Sequence, residues 1–413
     1  FALMVATTES YALYYLAKQG IPAMELGLIS TLPILVAAAS QLIMPRLVSP
    51  GRIGVALLFS LFVQTIGLAG IFWSFSTDYS FYLILFSLIF YWWGGQNAAP
   101  FWVDLISQNL PQHVFPRYFS ARNTVVVLVT MGLFVLFSRF SAWGIPFQYL
   151  FLIGLMARIC SLLLNFILVK KFPVTEGGNK ETAGPSLNRE QAKIFRQVIT
   201  WGGLFRFSVN ICSAFFLIYM IRDLGLSTSR YVTLAAAPFL GKALFQRNWV
   251  RASSDDRVYY GIQIATFFIA LLPWLWTLSS HFAYLMALQL ISGVFWGGME
   301  LTHLLMAQNQ MYGNARETLG IQQAVFSSFA VLGAVVGGWL LQKNWLMVEI
   351  FNLSTVMRLV FAFVLLFNLR RFKMAKLSFG AGFDYLGTLL SVRPSLANVM
   401  RIIPVTSRNE MKK

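Results

Sequence analysis

Residues 33–52, PILVAAASQLIMPRLVSPGR, return in outline as residues 238–257, PFLGKALFQRNWVRASSDDR: Pro33, Gln41, Arg46, Ser49 and Arg52 are answered by Pro238, Gln246, Arg251, Ser254 and Arg257. Working outward, Tyr14 matches Tyr219 and Gly20 matches Gly225 on the N-terminal side. Downstream the echo continues with small slips of register, as Trp93-Gly94-Gly95 against Trp296-Gly297-Gly298, and Arg158 with Lys170-Lys171-Phe172 against Arg358 with Arg370-Arg371-Phe372. A period close to half of 413 residues means one helical unit written twice.

The unit is a membrane unit. Hydrophobic residues make up 57% of the chain and charged residues only 11%, with a mean hydropathy of +0.66, far from the roughly one-quarter charged residues of soluble domains. Apolar runs long enough to cross about 30 Å of hydrocarbon fall at 1–17, 26–45, 53–74, 79–105, 119–138, 147–169, 195–221, 231–246, 258–278, 282–307, 319–341 and 347–369. The prediction is therefore an all-α membrane protein with twelve transmembrane helices in two six-helix bundles related by a pseudo-twofold axis. The eighth run is weak because Gly241-Lys242 interrupts it. The first begins abruptly at Phe1, as though a short leader preceded it, and no cleavable signal sequence is visible.

The net charge of +17 would suggest nucleic acid in a soluble chain, but its distribution gives a different answer. With both termini cytosolic, 23 Lys and Arg lie in inside loops and 5 in outside loops, the asymmetry of the positive-inside rule. No nucleic-acid partner is needed to explain it. The boundaries expected are an N-terminal bundle at 1–170, a flexible cytosolic linker at 171–193, a C-terminal bundle at 194–372 and a cytosolic tail at 373–413. In the tail, Leu386, Leu389, Leu390, Leu396, Val399, Met400 and Ile403 recur at helical spacing around Pro394. That pattern fits either an interfacial amphipathic helix or a cytosolic helix packed under the bundle. Cys160 and Cys212 fall mid-span and read as small apolar fillers.

Six plus six spans with a central cytosolic linker resemble the major facilitator superfamily. The segment Pro116-Arg117-Tyr118-Phe119-Ser120-Ala121-Arg122-Asn123, placed in the loop after the fourth span and downstream of Trp102, Asp104 and Pro111, is similar to the R-Y-F-x-x-R-N sequence of a bacterial subgroup of that family with no assigned substrate. The resemblance implies two halves that rock about a central cavity lined by the first, fourth, seventh and tenth spans. It also implies gating charges at Arg46 and Arg52, although Pro45 to Arg52 lacks the Asp of the family's G-x-x-x-D-R-x-G-R-R loop, and Asp255 and Asp256 of the second copy have no matching Gly. The fifth span lacks the G-x-x-x-G-P run of drug/proton antiporters; Gly333-x-x-x-Gly337-Gly338 in the eleventh suggests close helix packing.

A charge in hydrocarbon costs at least a few kcal/mol, so each one needs a reason. The duplication sorts them. Arg158 and Arg358 occupy matching places and read as scaffold, pairing inside each bundle with a carboxylate or with helix-end carbonyls. Asp104 near Arg117 and Arg122 reads as a gating or orienting ion pair. The unmatched set is Glu9, Arg206, Lys242, Glu300 and His303, and the resemblance puts all of these except Lys242 on cavity helices. Glu300-x-x-His303 shares a helical face and can take up and release a proton. The alternatives are a Glu300 neutralised by Lys242 or Arg358, or a divalent-metal site with Met299 and Met306 nearby. Glu9, among Thr7, Thr8, Tyr11, Tyr14 and Tyr15, is either a second protonation site or the partner of Arg158. Arg206, with Asn210 one turn on, either holds a substrate carboxylate or phosphate or pairs with Glu300. Trp92, Trp93, Gln96, Asn97, Trp102, Phe295 and Trp296 would wall the cavity with rings and amides suited to an organic ligand.

No Walker loop, H-E-x-x-H or Cys/His cluster is present, and His occurs only at 113, 281 and 303, which argues against an ATP-driven pump or an enzyme. The reading is a monomeric, proton-linked secondary transporter of a small organic solute, anionic or amphipathic, in the cytoplasmic membrane, with no cofactor and no resident metal. A lipid or lysolipid flippase of the same fold, or a membrane sensor that does not transport, remains open.

Overall fold

A peptide group in hydrocarbon has no water to bond to, so each apolar run must close its hydrogen bonds within itself as helix. The computed structural model describes residues 1–9, 11–12, 15–16, 21, 23–77, 80–110, 114–137, 139, 143, 145–146, 148–172, 189–213, 215–253, 257–310, 315–371 and 379–390, and its regular elements are all helical. The first span opens with α1 (Ala2–Met4) and a π-helical turn (Val5–Glu9), followed by α2 (Ala23–Leu47), α3 (Ile53–Ser76), α4 (Phe81–Asn109), α5 (Phe115–Phe137) and α6 (Gln148–Lys171). The second half runs α7 (Arg189–Ser213), a second π-helical turn (Tyr219–Asp223), α8 (Thr228–Ala252), α9 (Val258–Leu278), α10 (Phe282–Gln310), α11 (Ala315–Gln342) and α12 (Met347–Arg371), and ends in α13 (Phe379–Leu390).

The pairing of helices repeats as the sequence does. α1 and its π turn pack on α5 and α6, α2 on α4, and α3 on α4 and α6; likewise α7 packs on α11 and α12, α8 on α10, and α9 on α10 and α12. The halves meet where α2 lies along α11 and α5 along α8. Two apolar clusters join them near opposite ends of α5: Tyr11, Phe134 and Phe137 with Val232 and Ala236, and Val103 and Phe115 with Leu319.

Among the described residues, seven helices are individually long and apolar enough to cross a membrane: α3, α5, α6, α9, α10, α11 and α12. The chain is a multi-pass membrane protein. Of those that fall short, α2, α4, α7 and α8 carry Gln41, Asn97, Arg206 and Lys242 in their middles. Helices that face a polar interior need less hydropathy than helices that face lipid on most sides.

Glycines decide where backbones meet. Gly67 and Gly94 let α3 and α4 cross in direct backbone contact at Tyr91 and Ser60, and Gly241 and Gly293 do so for α8 and α10 at Leu290 and Pro238. The eighth span is therefore not interrupted at Gly241-Lys242: α8 runs unbroken through it, because the missing Cβ is where the Leu290 carbonyl of α10 fits. Gly333 and Gly337 do the same for α11 against Phe207 and Ile211 of α7.

In the tail, α13 packs beneath α8 and α9. Tyr385 and Leu389 are buried, the Tyr385 hydroxyl shares a 2.7 Å hydrogen bond with Ser253 Oγ, and Asn248 Nδ2 donates to the Leu389 carbonyl at 2.9 Å. Burial pushes the Tyr385 phenol up from its ordinary range, so it stays a neutral hydroxyl. The helical spacing from Pro394 onward, Asp255, Asp256, and the linker at 173–188 lie outside the described residues.

Candidate functional site

The unmatched charges of the second half converge. Lys242 of α8 forms an ion pair with Glu300 of α10, each roughly 15 Å from the C-terminal end of its helix. The Glu300 side chain is nonetheless 49% exposed. Arg206 of α7 lies over the Trp296 ring at 5.1 Å and the Phe326 ring at 5.6 Å. His303, one turn beyond Glu300, is buried, with Nδ1 2.7 Å from the Met299 carbonyl and its ring edge-on to Phe326 at 5.3 Å.

On these helices several buried polar atoms have no hydrogen-bond partner: Arg206 Nε, His303 Nε2 and both amide atoms of Gln246, and on α11, one turn before Phe326, Gln322 Oε1. Gln246 and Lys242 both flank Gly297, the residue after Trp296, which places the amide at the same wall.

The first half solves its charges differently. Tyr91 of α4 donates to Glu9 Oε1 at 2.6 Å, and Arg158 of α6 donates to Gln64 Oε1 of α3. Arg158 also attracts the Glu9 carboxylate. Glu9 closes the π-helical turn of the first span, whose Thr7 and Thr8 rest on Gly154 of α6; such turns often occur at functional sites. Arg358, the partner of Arg158 in the repeat, has no carboxylate among the described residues. It donates to the carbonyls of Ile269 (3.0 Å) and Val209 (3.1 Å), to Ser354 Oγ (3.0 Å) and to Cys212 Sγ (3.1 Å). Cys212 is thus a hydrogen-bonding part of this cage and more than a filler.

No protein-family model and no curated protein sequence matches the chain. The three-dimensional comparison is informative where the sequence comparison is silent. The structure matches the human organic anion transporter MFSD10 with a TM-score of 0.62 at 15% identity, over 88% of this chain and 92% of that one. The chain has the major facilitator fold. Two further solved structures of that fold match at a TM-score of 0.61: the E. coli fucose:proton symporter FucP, 12% identical over 89% of this chain and 96% of that one, and a bacterial homologue of the iron transporter ferroportin in an outward-facing state, 14% identical over 88% and 96%.

Within the major facilitator fold the remaining candidates are dispersed. Tyr11 donates to the Phe134 carbonyl at 2.7 Å, Asn210 donates to its own helix at Arg206 O, and Asn97 is buried between Ser40 Oγ (2.7 Å) and Trp93 O (2.8 Å). Trp93 meets Phe59, whose side chain is on the outer surface. Gln96 receives the Gln41 amide at 2.9 Å on its carbonyl. Asp104 accepts from Gln108 Nε2 at 2.9 Å, Arg122 lies 4.3 Å over the Trp102 ring, and Arg46, Arg52 and Arg117 are exposed. The segment Pro116 to Asn123 is not a loop: it forms the first two turns of α5, where proline is well placed because the first N–H groups of a helix need no partner.

Tyr91, Gln64, Gln322 and Phe326 were not singled out by sequence, because attention went to charges. A buried uncharged amide or phenol inside an apolar span is also costly without a partner, and that signal would have found the first three.

Proposed function

We propose that this protein is a secondary transporter that carries a small organic solute across the cytoplasmic membrane by alternating access, with proton coupling. The observation carrying the reading is the gathering of Arg206, Lys242, Glu300 and His303, the charges the repeat does not duplicate, around one wall at mid-helix. An asymmetric solute calls for an asymmetric site in a two-fold frame. The known proteins that share the fold are named as carriers of an organic anion, of fucose with a proton, and of iron, which supports transport while leaving the cargo to this chain's own residues.

Coupling follows from the ion pair. A proton on Glu300 removes its attraction for Lys242 and frees the ammonium group at the wall; loss of the proton restores the pair. Glu9, held by Tyr91 on the opposite half, is the second protonation site. The two rocking units are residues 1–170 and 194–372, joined by a linker at 171–193, with both termini in the cytosol and the monomer as the working unit.

The test is solute-induced pH change in proteoliposomes, read with an internal pH dye across a panel of amino acids, sugars and organic anions. The wild-type protein is expected to give a signal with at least one class, and Glu300→Gln to abolish it while flux down the solute gradient persists. An unchanged signal in Glu300→Gln removes the coupling assignment. A sensor that does not transport would give no flux in either protein.

A further inference from the structure

The wall described above carries more charge than it balances. Lys242 and Glu300 cancel, which leaves the guanidinium of Arg206 as net positive charge, and a proton on His303 would only add to it. Among the described residues no carboxylate is within ion-pair reach of Arg206. The doubled arginines reach polar acceptors: Arg158 donates to Gln64 and feels the pull of Glu9, although its Nε also lacks a partner, and Arg358 has four acceptors. Arg206 has rings, at Trp296 and Phe326, and the pull of a Glu300 that is already paired with Lys242, and its Nε has no partner. Rings attract the face of a guanidinium and leave its in-plane N–H donors unused. Those donors are the fork that a carboxylate takes in bidentate fashion.

A second disagreement between the copies points the same way. Gln41 and Gln246 are matched positions of the repeat, and both are buried. Gln41 donates its Nε2 to the Gln96 carbonyl of α4 and leaves only Oε1 unengaged, whereas Gln246 has neither amide atom engaged and sits at Gly297, beside Trp296. With Gln322 Oε1 and His303 Nε2 also unengaged, the wall offers donors and acceptors next to the cation. Buried amides left in this way are costly unless a ligand or a water engages them.

We infer that the space bordered by Arg206, Gln246, Trp296, Glu300 and Phe326 binds a carboxylate-bearing organic solute, with Arg206 clamping the carboxylate and Gln246 meeting a second, hydrogen-bonding group. The inference rests on the transport reading only for the location of the site. A neutral sugar leaves the Arg206 charge uncompensated, and an organic cation is repelled by it.

The experiment is equilibrium binding to the purified full chain in detergent, by calorimetry and thermal shift, with benzoate, 4-hydroxybenzoate and lactate against benzamide and benzylamine. At least one carboxylate is expected to bind saturably, and neither the amide nor the amine to bind at the same concentrations. Arg206→Gln should weaken the carboxylate by about tenfold or more, as loss of a charge-assisted fork does, with Arg206→Lys in between. Gln246→Leu should remove only the advantage of the hydroxylated ligand over benzoate. Equal binding of benzamide or benzylamine, no binding of any carboxylate, or carboxylate affinity unchanged in Arg206→Gln each overturns the inference; if Arg206→Gln does not fold, Arg206→Lys and Gln246→Leu decide it. Carboxylate binding without flux in proteoliposomes would remove the transport reading and leave this site standing. Flux of a neutral solute without carboxylate binding would do the reverse.

Discussion

The first half of the molecule crosses most tightly where α3 meets α4, at Gly67, Gly70, Gly94 and Gly95; in the second half glycine brings α8 onto α10, at Gly241, Gly293 and Gly297. These are not the same seam. In the repeat α3 corresponds to α9 and α8 to α2, so the two copies have placed their close contacts on different helix pairs. The consequence is chemical. Closing α3 on α4 puts Gln64 and Tyr91 among the apolar residues of the bundle, where they hold Arg158 and Glu9. Closing α8 on α10 puts Lys242 against Glu300 and Gln246 against Gly297, on a wall that retains exposure. One topology thus yields one half in which Arg158 and Glu9 reach hydrogen-bonding partners and one half in which Arg206 rests on rings.

The comparison breaks most visibly at the doubled arginines. Arg358→Met strips donors from two carbonyls, a hydroxyl and a thiol at once and should cost about 3 kcal/mol, at the level of hydrogen bonds to a charged group. Arg158→Met should cost a similar amount but for a different reason, because it strands the Glu9 charge. Adding Glu9→Gln to Arg158→Met should recover about 1 kcal/mol or more, since a neutral amide needs no counter-charge. Thermal unfolding in detergent, followed by tryptophan fluorescence, reads all three; if Glu9→Gln gives no recovery, the two halves handle their arginines alike.

The seams give the next effect. Gly293→Val drives side-chain atoms into the Pro238 backbone and should cost about 2–3 kcal/mol, the upper range for overpacking. Gly70→Ala meets the Ser87 side chain, whose Oγ can rotate away while its Cβ stays at 3.0 Å, and should cost less, about 1 kcal/mol. Comparable losses at the two sites in the same unfolding assay would mean that Gly293 is no more tightly confined in the α8–α10 contact than Gly70 is in the α3–α4 contact.

Smaller still is Tyr91→Phe, which removes one hydrogen bond to a carboxylate and should cost about 1.5 kcal/mol. Its sharper signature is expected in the pH dependence of uptake, which should move in Tyr91→Phe and in Glu9→Gln together. The smallest change is at α13. Tyr385→Phe loses the hydrogen bond to Ser253 and should lower stability by about 1 kcal/mol, with no effect on Lys242→Met or Glu300→Gln phenotypes measured in parallel.

Much of this was legible in the residues. The apolar run at 231–246 marked a span even though Gly241-Lys242 interrupts it, and α8 runs through it. The duplication separated Arg158 and Arg358 from Arg206, Lys242, Glu300 and His303, and in the structure Lys242 meets Glu300, Arg206 lies over Trp296 and Phe326, and His303 meets Phe326. Asn97, Asn210, Tyr11 and Trp93 went elsewhere. A polar residue on a cavity helix satisfies itself with the nearest acceptor, and for Asn210 and Asn97 that acceptor is a carbonyl four residues back. Sequence position shows that a residue is on the right helix but not to which side it is rotated.

The sequence by itself determined that the chain is a bundle of membrane helices made of two copies of one unit, because hydrocarbon leaves a peptide group no partner outside its own helix and because duplication repeats the apolar pattern that sets which helices pack. Only the tertiary structure decided that Lys242 meets Glu300, that Glu9 meets Tyr91 and that Arg206 lies over the rings of Trp296 and Phe326. Lys242 and Glu300 are 58 residues apart, and Glu9 and Tyr91 are 82. Their meeting depends on the rotation of each helix about its axis, which is set by glycine contacts and side-chain packing across the bundle and is invisible to hydropathy.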